Sequence, residues 1–549
     1  MSFVQKALEF VSRRQVRTFW LFSVIAFFLF FVVLPTIYVL SYAFTHWDEV
    51  GGILDDAATM DLVWTAILNS FVIASIVTLI DFLVGLPMAW ILVRKRFRGR
   101  ELLDTLIDMP LAVPTAALGF SSAIFWGLTP DLMYNPLGLK IVESPFLLII
   151  FLHIVFSYPY MVRSLAAILE QIDQTYETAG RTLGASPFTV ARTITLPLFR
   201  AGLVTGIILC FARSLSETGG TYAALKAVEM QTSFYTAPTL LDELKREGVQ
   251  NNPELALIST ILIVLALVLL VVVALVLKKV HIPLRKVWPR PEKALSRGFA
   301  PKAKDATSIV FLFLMVLLPS FFIFSFAAVA QPTAADTDFW GSFGQSLGYS
   351  FLVAGVVTIV DLVLGVPLAL YIARGRGRKL PEILDVLVNV PLIVPTVALG
   401  VSLGLFWVGG NPVSDATGIV LVILAHIAFT YPLMVRNVVG AVEEVDPDFE
   451  ETARTLGARP LQAFNRVLFP MIKASILAGA IMAFTRSLGE TGATRAVIAN
   501  ANTAPNFIVT LIDNQDYYGA ALACIILIII SYLFMLALRW ITRRRKEAR

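Results

Sequence analysis

Residues 70–94 read SFVIASIVTLIDFLVGLPMAWILVR, and residues 350–374 read SFLVAGVVTIVDLVLGVPLALYIAR. Each is a long apolar run, enough to carry a helix across a hydrocarbon core of about 30 Å. Each also holds one aspartate near its middle and one proline further on, at matching places (Asp81 and Pro87; Asp361 and Pro367). The pair implies two things together: a helical membrane protein, and a chain built by duplication.

The duplication continues on the C-terminal side of these runs. DMPLAVPTAALG (108–119) aligns with NVPLIVPTVALG (389–400), HIVFSYPYMVR (153–163) with HIAFTYPLMVR (426–436), and FARSLSETGGT (211–221) with FTRSLGETGAT (484–494). Hydropathy places spans near 19–44, 64–93, 108–128, 144–169, 199–216 and 256–278, then near 308–330, 345–374, 390–409, 417–440, 472–490 and 517–541. The first span of each group matches its counterpart poorly. The expected fold is an all-α polytopic membrane protein of 12 transmembrane helices in two six-helix repeats, residues 1–277 and 306–549. Between them, 278–305 is basic and Pro-rich (KKVHIPLRKVWPRPEKALSRGFAPKAK, 278–304) and is expected to be a cytoplasmic linker that packs no core. Six spans is an even number, so both repeats enter the membrane the same way round. They are parallel repeats about an axis along the membrane normal, with a pathway expected at their interface.

Composition agrees. The 549 residues are 57% hydrophobic and 15% charged, whereas a soluble protein carries about 25% charged residues. Short alternating segments are absent, which argues against a barrel. The formal charge of +5 sits in particular loops, at 94–100, 373–379, the linker and the tail 543–549. The first loop of the opposite side carries Asp48, Glu49, Asp55, Asp56 and Asp61. The basic excess therefore reads as topology, with both termini cytoplasmic, and not as nucleic-acid binding. The N-terminal apolar run has no small-residue cleavage site and is expected to be a retained first span. Cys210 and Cys524 both fall within spans, so no disulfide is expected.

One repeated segment is too polar to span: RTLGASPFTVARTITLP (181–197) and RTLGARPLQAFNRVLFP (454–470). Each predicts helix, turn, helix. Gly184 and Gly457 suit a left-handed helix end, and Pro187 and Pro460 suit the first turn of the next helix. Ser186 is a good cap and Arg459 a poorer one. Leu461, Phe464 and Leu468 share a face of the second short helix, which Pro470 is expected to stop. A single such helix is equally compatible with lying on lipid. Two at matched positions, on the same face, point to a pair of docking sites.

The segments YETAGRTLGASPFTVARTITLP (176–197) and FEETARTLGARPLQAFNRVLFP (449–470) resemble the EAA loop of ABC importer permeases. In that family the loop carries a coupling helix seated in a groove of the ATP-hydrolysing subunit. Glu451, Thr452, Ala453, Gly457 and Pro470 fit the pattern, as do Gly184 and Pro197. The first copy departs where Thr178, Ala179 and Gly180 stand, with Glu177 one place early. Ala185 and Ala458, next to the glycines, join the docking set. The resemblance covers essentially the whole chain, as two permease domains fused. It implies a multi-pass protein of the cell membrane, two copies of an ATPase subunit on the cytoplasmic face and an external solute-binding protein. The chain has no Gly-rich lysine loop for ATP, so ATP and magnesium belong to the partner. No cofactor, no enzymatic chemistry and no nucleic-acid partner are expected of this chain.

Within the membrane, Arg213 and Glu217, like Arg486 and Glu490, are four residues apart on one helix face and can pair locally. RSLSETGGT and RSLGETGAT resemble the Ser-Leu-Gly-Glu-Phe-Gly-Ala-Thr stretch of molybdate and sulfate permeases, with Thr218 and Thr491 in place of Phe. Phosphate permeases carry a comparable Gly-Glu-Thr. That resemblance implies an inorganic oxyanion as cargo, while the fused architecture is also familiar among iron(III) and thiamine importers. Arg213, Ser214, Glu217, Thr218, Thr221, Arg486, Ser487, Glu490, Thr491 and Thr494 are the candidate lining of the pathway, against the alternative of plain helix packing.

Asp81 and Asp361 allow a competing class, a cation-coupled secondary transporter; the plainer reading is a hydrogen bond between helices. His153 and His426 have no companions at metal-ligand spacing and read as packing residues. PLAVP and PLIVP (110–114, 391–395) are expected to bend the third span of each half. TAP, at 236–238 and 503–505 on the outer side, reads as a surface for a binding protein or as a turn.

Overall fold

The computed structural model describes residues 14–127, 142–198, 200–229, 234–247, 252–279, 288–329, 339–409, 415–498 and 502–547. Among these, seven helices are long and apolar enough to cross a membrane: Gln15–Thr45, Ala57–Arg94, Pro145–Gln171, Phe299–Phe326, Phe339–Arg374, Gly418–Glu443 and Pro460–Leu488. Shorter apolar helices, Gly206–Leu215, Asn252–Val268 and Tyr517–Leu533, stand where the fifth, sixth and twelfth spans were expected.

The third span of each half is broken. Arg100–Leu111 and Thr115–Trp126 meet at 102°, and Lys379–Leu392 and Thr396–Val408 at 105°. The bends expected at PLAVP and PLIVP (110–114, 391–395) are thus present. The cause is local: Pro114 and Pro395 disfavour a helical residue before them, and Val113 and Val394 are extended (ψ 134° and 129°).

Pro470 does not stop its helix, contrary to expectation. The short helix Pro460–Ala463 passes through a π-helical segment, Phe464–Leu468, into Phe469–Leu488. Pro470 lies just past that π-helical segment, where the regular i→i−4 ladder is already interrupted. The first copy follows the same course, with π-helical Ala191–Thr195 before Leu196–Leu198.

The two halves are interlocked. Ser402 accepts the N–H of Val39 (2.9 Å) and donates to the carbonyl of Pro35 (2.6 Å), so its hydroxyl is inserted into the backbone ladder of the first span. Ser121 does the same to the seventh span, accepting from Ile323 (3.0 Å) and donating to Pro319 (2.6 Å). The cores follow suit. Phe28 and Val32 are buried with the second half, around Tyr431 and Met434. Phe322, Ile323 and Leu527 are buried with the first half, around Phe120 and Leu152. Each half thus packs its first span on the other.

Candidate functional site

The two loops are built alike. In the first, Gly184 has φ +89°, its N–H bonds Arg181 O (3.0 Å), and Ala185 N–H bonds Gly180 O (3.2 Å). In the second, Gly457 also has φ +89°, and the matching bonds are Gly457 to Arg454 (3.0 Å) and Ala458 to Ala453 (2.9 Å). This double closure satisfies the carbonyls of an ending helix and needs a left-handed residue, which glycine supplies. It leaves one leucine at the tip of each turn, Leu183 at 88% exposure and Leu456 at 84%. Ser186 caps the next helix by accepting Thr189 N–H (3.2 Å). In the second loop the Gln462 side chain reaches back instead and accepts Arg459 N–H (2.9 Å).

An ion pair, buried in the first half and half-buried in the second, anchors each loop to the end of the second span of its half. Arg94 Nε donates to Glu177 (2.9 Å) and its Nη2 to Ile172 O (2.9 Å). In the second half, Arg374 Nε donates to Glu450 (2.9 Å) and its Nη1 to Val445 O (3.0 Å). Glu177 therefore corresponds to Glu450, and both work inside the chain. Glu451, which fits the family pattern, is exposed, as are Thr178, Ala179 and Thr452; Ala185, Ala453 and Ala458 are half-buried. Pro197 is exposed and Pro470 half-buried, both at the junction with the fifth span.

Among its described residues the linker builds no apolar core, since Trp288 and Leu295 are exposed, but it makes polar contacts with the first loop. Residues 280–287 lie outside the described residues, but Pro289–Leu295 is a helix seated on the first loop, and the seventh helix already begins at Phe299. Lys95 pairs with Asp305 on the same end of the bundle.

The candidate pathway residues meet where the halves meet. Arg213 and Arg486, with Phe156, Tyr160, Pro110 and Gly489, line a cavity of about 30 Å³, roughly the space of one water. Each arginine is held by the glutamate four residues on, Arg213 to Glu217 at 2.5 Å and Arg486 to Glu490. Each also lies over a phenylalanine, Phe156 at 5.3 Å and Phe429 at 5.1 Å. The glutamates have a second duty: Glu217 accepts Gly220 N–H (2.9 Å) and Glu490 accepts Ala493 N–H (3.0 Å), capping the helices Gly219–Ala227 and Gly492–Val497. Beside the cavity the halves touch closely. A Cβ on Gly219 would fall 2.3 Å from that of Thr491, and one on Gly492 would fall 2.8 Å from that of Thr218.

Four expected lining hydroxyls are engaged elsewhere in this conformation. His153 Nδ1 lies 2.8 Å from Ser214 Oγ and its Nε2 2.9 Å from Thr221 Oγ1. His426 makes the same bridge to Ser487 (2.7 Å) and Thr494 (2.8 Å). The histidines are helix-to-helix ties, and no metal-ligating cluster is found among the described residues. Asp81 takes a hydrogen bond from Ser157 and one from Cys210 Sγ (3.2 Å), and like Asp361 it is buried inside its own half. The TAP segments are neither a surface nor a simple turn. They start buried helices, with Ala237 N–H bonded to Ser70 (2.8 Å) and Ala504 N–H to Ser350 (2.8 Å).

A duplicated, interlocked membrane bundle, with a pair of equivalent loops and an arginine-lined cavity between its halves, is the anatomy of a transport permease. The chain belongs to the family described as binding-protein-dependent transport system inner membrane component, which matches it twice, at residues 81–286 and 365–547. It is a fused two-repeat ABC importer permease, a multi-pass protein of the inner membrane. Among its relatives is the molybdenum transport system permease protein ModB of Escherichia coli (strain K12), 35% identical over 172 residues, 31% of this chain and 75% of the relative. The sulfate transport system permease protein CysT of Salmonella typhimurium is 33% identical over 175 residues, 30% of this chain and 60% of the relative. A probable sulfate transport system permease protein of Chlorokybus atmophyticus is 29% identical over 219 residues, 40% of this chain and 74% of the relative.

Proposed function

We propose that this permease imports an inorganic oxyanion of the molybdate and sulfate class, handed over by an external binding protein and driven by two ATPase subunits. The observation that carries the reading is the pairing of the loops: the same turn, the same arginine–glutamate anchor and the same exposed leucine, once in each half. One ATPase subunit docks on each, through Gly184 and Gly457, the residues beside them and the exposed Thr178, Ala179, Glu451 and Thr452. Closure of the ATPases around ATP moves the loops; because Arg94 and Arg374 tie them to the second spans, the halves rock about the central axis. ATP and magnesium stay on the partner, and the loops and both termini face the cytoplasm.

The cargo assignment rests on the relatives' names and on Arg213 and Arg486 at the dyad cavity. Their charge is largely neutralised by Glu217 and Glu490, which suits weak, transient contact with an anion better than a tight trap. Iron(III) and thiamine are the alternatives that the fused architecture keeps open. A secondary transporter is disfavoured, since Asp81 is occupied by Ser157 and Cys210 away from the cavity.

The test is reconstitution of the chain with its ATPase and binding protein in liposomes. ATPase rate is measured against molybdate, sulfate, phosphate, iron(III) and thiamine, with Gly184→Arg and Gly457→Arg as docking controls. Stimulation by an oxyanion, lost in both controls, is the expected result. Stimulation by iron(III) or thiamine alone overturns the cargo. Uptake on a proton gradient without ATP, abolished by Asp81→Asn, overturns the importer reading.

A further inference from the structure

The two loops differ in one respect that the duplication does not predict. On the first, the linker helix Pro289–Leu295 is seated through a polar cluster centred on Glu292, only 2% exposed. Thr189 Oγ1 donates to Glu292 Oε2 (2.5 Å), and Arg192 Nη2 to Glu292 Oε1 (2.6 Å). Trp288 N–H donates to the same carboxylate (3.1 Å). At the far end of the linker helix, Phe188 N–H donates to Ser296 Oγ (3.0 Å), which lies 3.1 Å from Ser186 Oγ. The Thr189 hydrogen bond, with those of Trp288 and Arg192, holds the Glu292 carboxyl below the usual carboxylate range, against the effect of burial.

The second loop has no such cover among the described residues. The positions that match Ser186, Thr189 and Arg192 are Arg459, Gln462 and Asn465, all exposed. With all three contact residues replaced, the sequence of the first loop is fitted to the linker and that of the second is not. The linker helix also leaves the tip alone, since Leu183 is as open as Leu456. It covers the flank of the loop and not the turn that faces outward. A short step beyond it the seventh helix begins at Phe299, and that helix is the first of the second half.

We propose that the linker helix is a permanent brace of the first docking loop: it moves with that loop and carries its displacement directly into the seventh span. The inference rests on the docking role of the loops. The brace holds the first docking site stiff and ties it to both halves.

Two experiments on the reconstituted complex test it. In the first, Ser186 and Ser296 are both replaced by cysteine; the native Cys210 and Cys524 are buried. A brace that stays in place allows the crosslink to form under oxidant, and the oxidised protein keeps the ligand-stimulated ATPase and uptake of its reduced form. Activity lost on oxidation and restored by reductant means that the linker must let go in each cycle, and the brace is wrong. Failure to crosslink means that the contact is absent, and the brace is wrong in that case too.

In the second, Glu292→Ala is placed in the Gly457→Arg background, where only the first site docks, and in the Gly184→Arg background, where only the second does. ATPase retention is expected to fall about tenfold in the first background and to be unchanged in the second. An equal loss in both shows general destabilisation and overturns the brace. No loss in either, with both glycine variants weakening retention by themselves, overturns the brace and leaves the docking reading intact. If neither glycine variant weakens retention, the docking reading fails and takes the brace with it.

Discussion

Arg94 shows how much one side chain can carry in such a structure. Its side chain is 7% exposed and that of Glu177 is 5% exposed, so replacing Arg94 alone strands a carboxylate without its charged partner. Breaking a buried pair in this way costs about 3–5 kcal/mol, whereas removing both charges together can be nearly neutral. Arg94→Ala is expected to lower the thermal midpoint of the purified protein and to weaken ATPase retention, and Arg94→Met with Glu177→Leu to recover most of the midpoint. Arg374→Ala is expected to do less damage, because that pair is 24% and 13% exposed. Glu292 yields a prediction in pH. Its carboxyl is held below its ordinary value in the folded state, so the stabilisation is complete above the ordinary carboxylate range and is lost as pH falls through the lowered value. The thermal midpoint of the native protein should therefore fall more steeply in acid than that of Glu292→Gln, and equal acid slopes contradict the assignment. The anchoring role of Glu450 escaped the sequence because the family pattern draws attention to its neighbour Glu451. A basic residue ending each copy of the duplicated run, with a glutamate seven places before each turn glycine, was the signal available.

At the scale of single elements, the turn glycines are held by backbone geometry and not by crowding. Nothing lies within 4 Å of a Cβ built on Gly184 or Gly457, yet both sit at φ +89°. A β-branched residue there carries the left-handed penalty of about 1–2 kcal/mol, while asparagine tolerates the region better. Gly184→Val and Gly457→Val are each expected to weaken ATPase binding more than the corresponding asparagine variants, measured as dissociation constants in nanodiscs. Equal binding by valine and asparagine variants would show that the turn is not the docking geometry. These turns, and the bends at Pro114 and Pro395, were legible because glycine and proline act locally through φ, ψ and the missing N–H. The continuation through Pro470 was not. A proline after a short amphipathic helix reads as a stop, and the π-helical segment that admits it has no residue signature of its own.

For the whole molecule, duplication made the number of repeats legible but suggested two units packed side by side. The interlock depends on Ser121 and Ser402 reaching into the first spans of the opposite halves. Those first spans are where the repeats match least, so sequence similarity gave no reason to pair them across the interface. The exchange has a measurable consequence. Phe28, Val32 and Val24 are fully buried, and the core that buries them belongs to the second half. Phe322 and Ile323 are buried likewise against the first. Each such side chain contributes about 1.5–3 kcal/mol on burial in water. In lipid that drive is weaker, and close packing with inserted hydroxyls holds the spans instead. A protease site inserted between residues 280 and 287 should therefore give two fragments after cleavage that stay together through purification in mild detergent. Either half expressed alone should be unstable, since it leaves its own first span without its packing site and the site for its partner's span empty. Ser121→Ala with Ser402→Ala should loosen the cleaved pair, because each lost hydroxyl leaves a backbone N–H and a carbonyl to re-form a direct bond across an altered ladder. Two halves that separate cleanly as stable monomers would show that each packs its own first span, and the interlock would then be wrong.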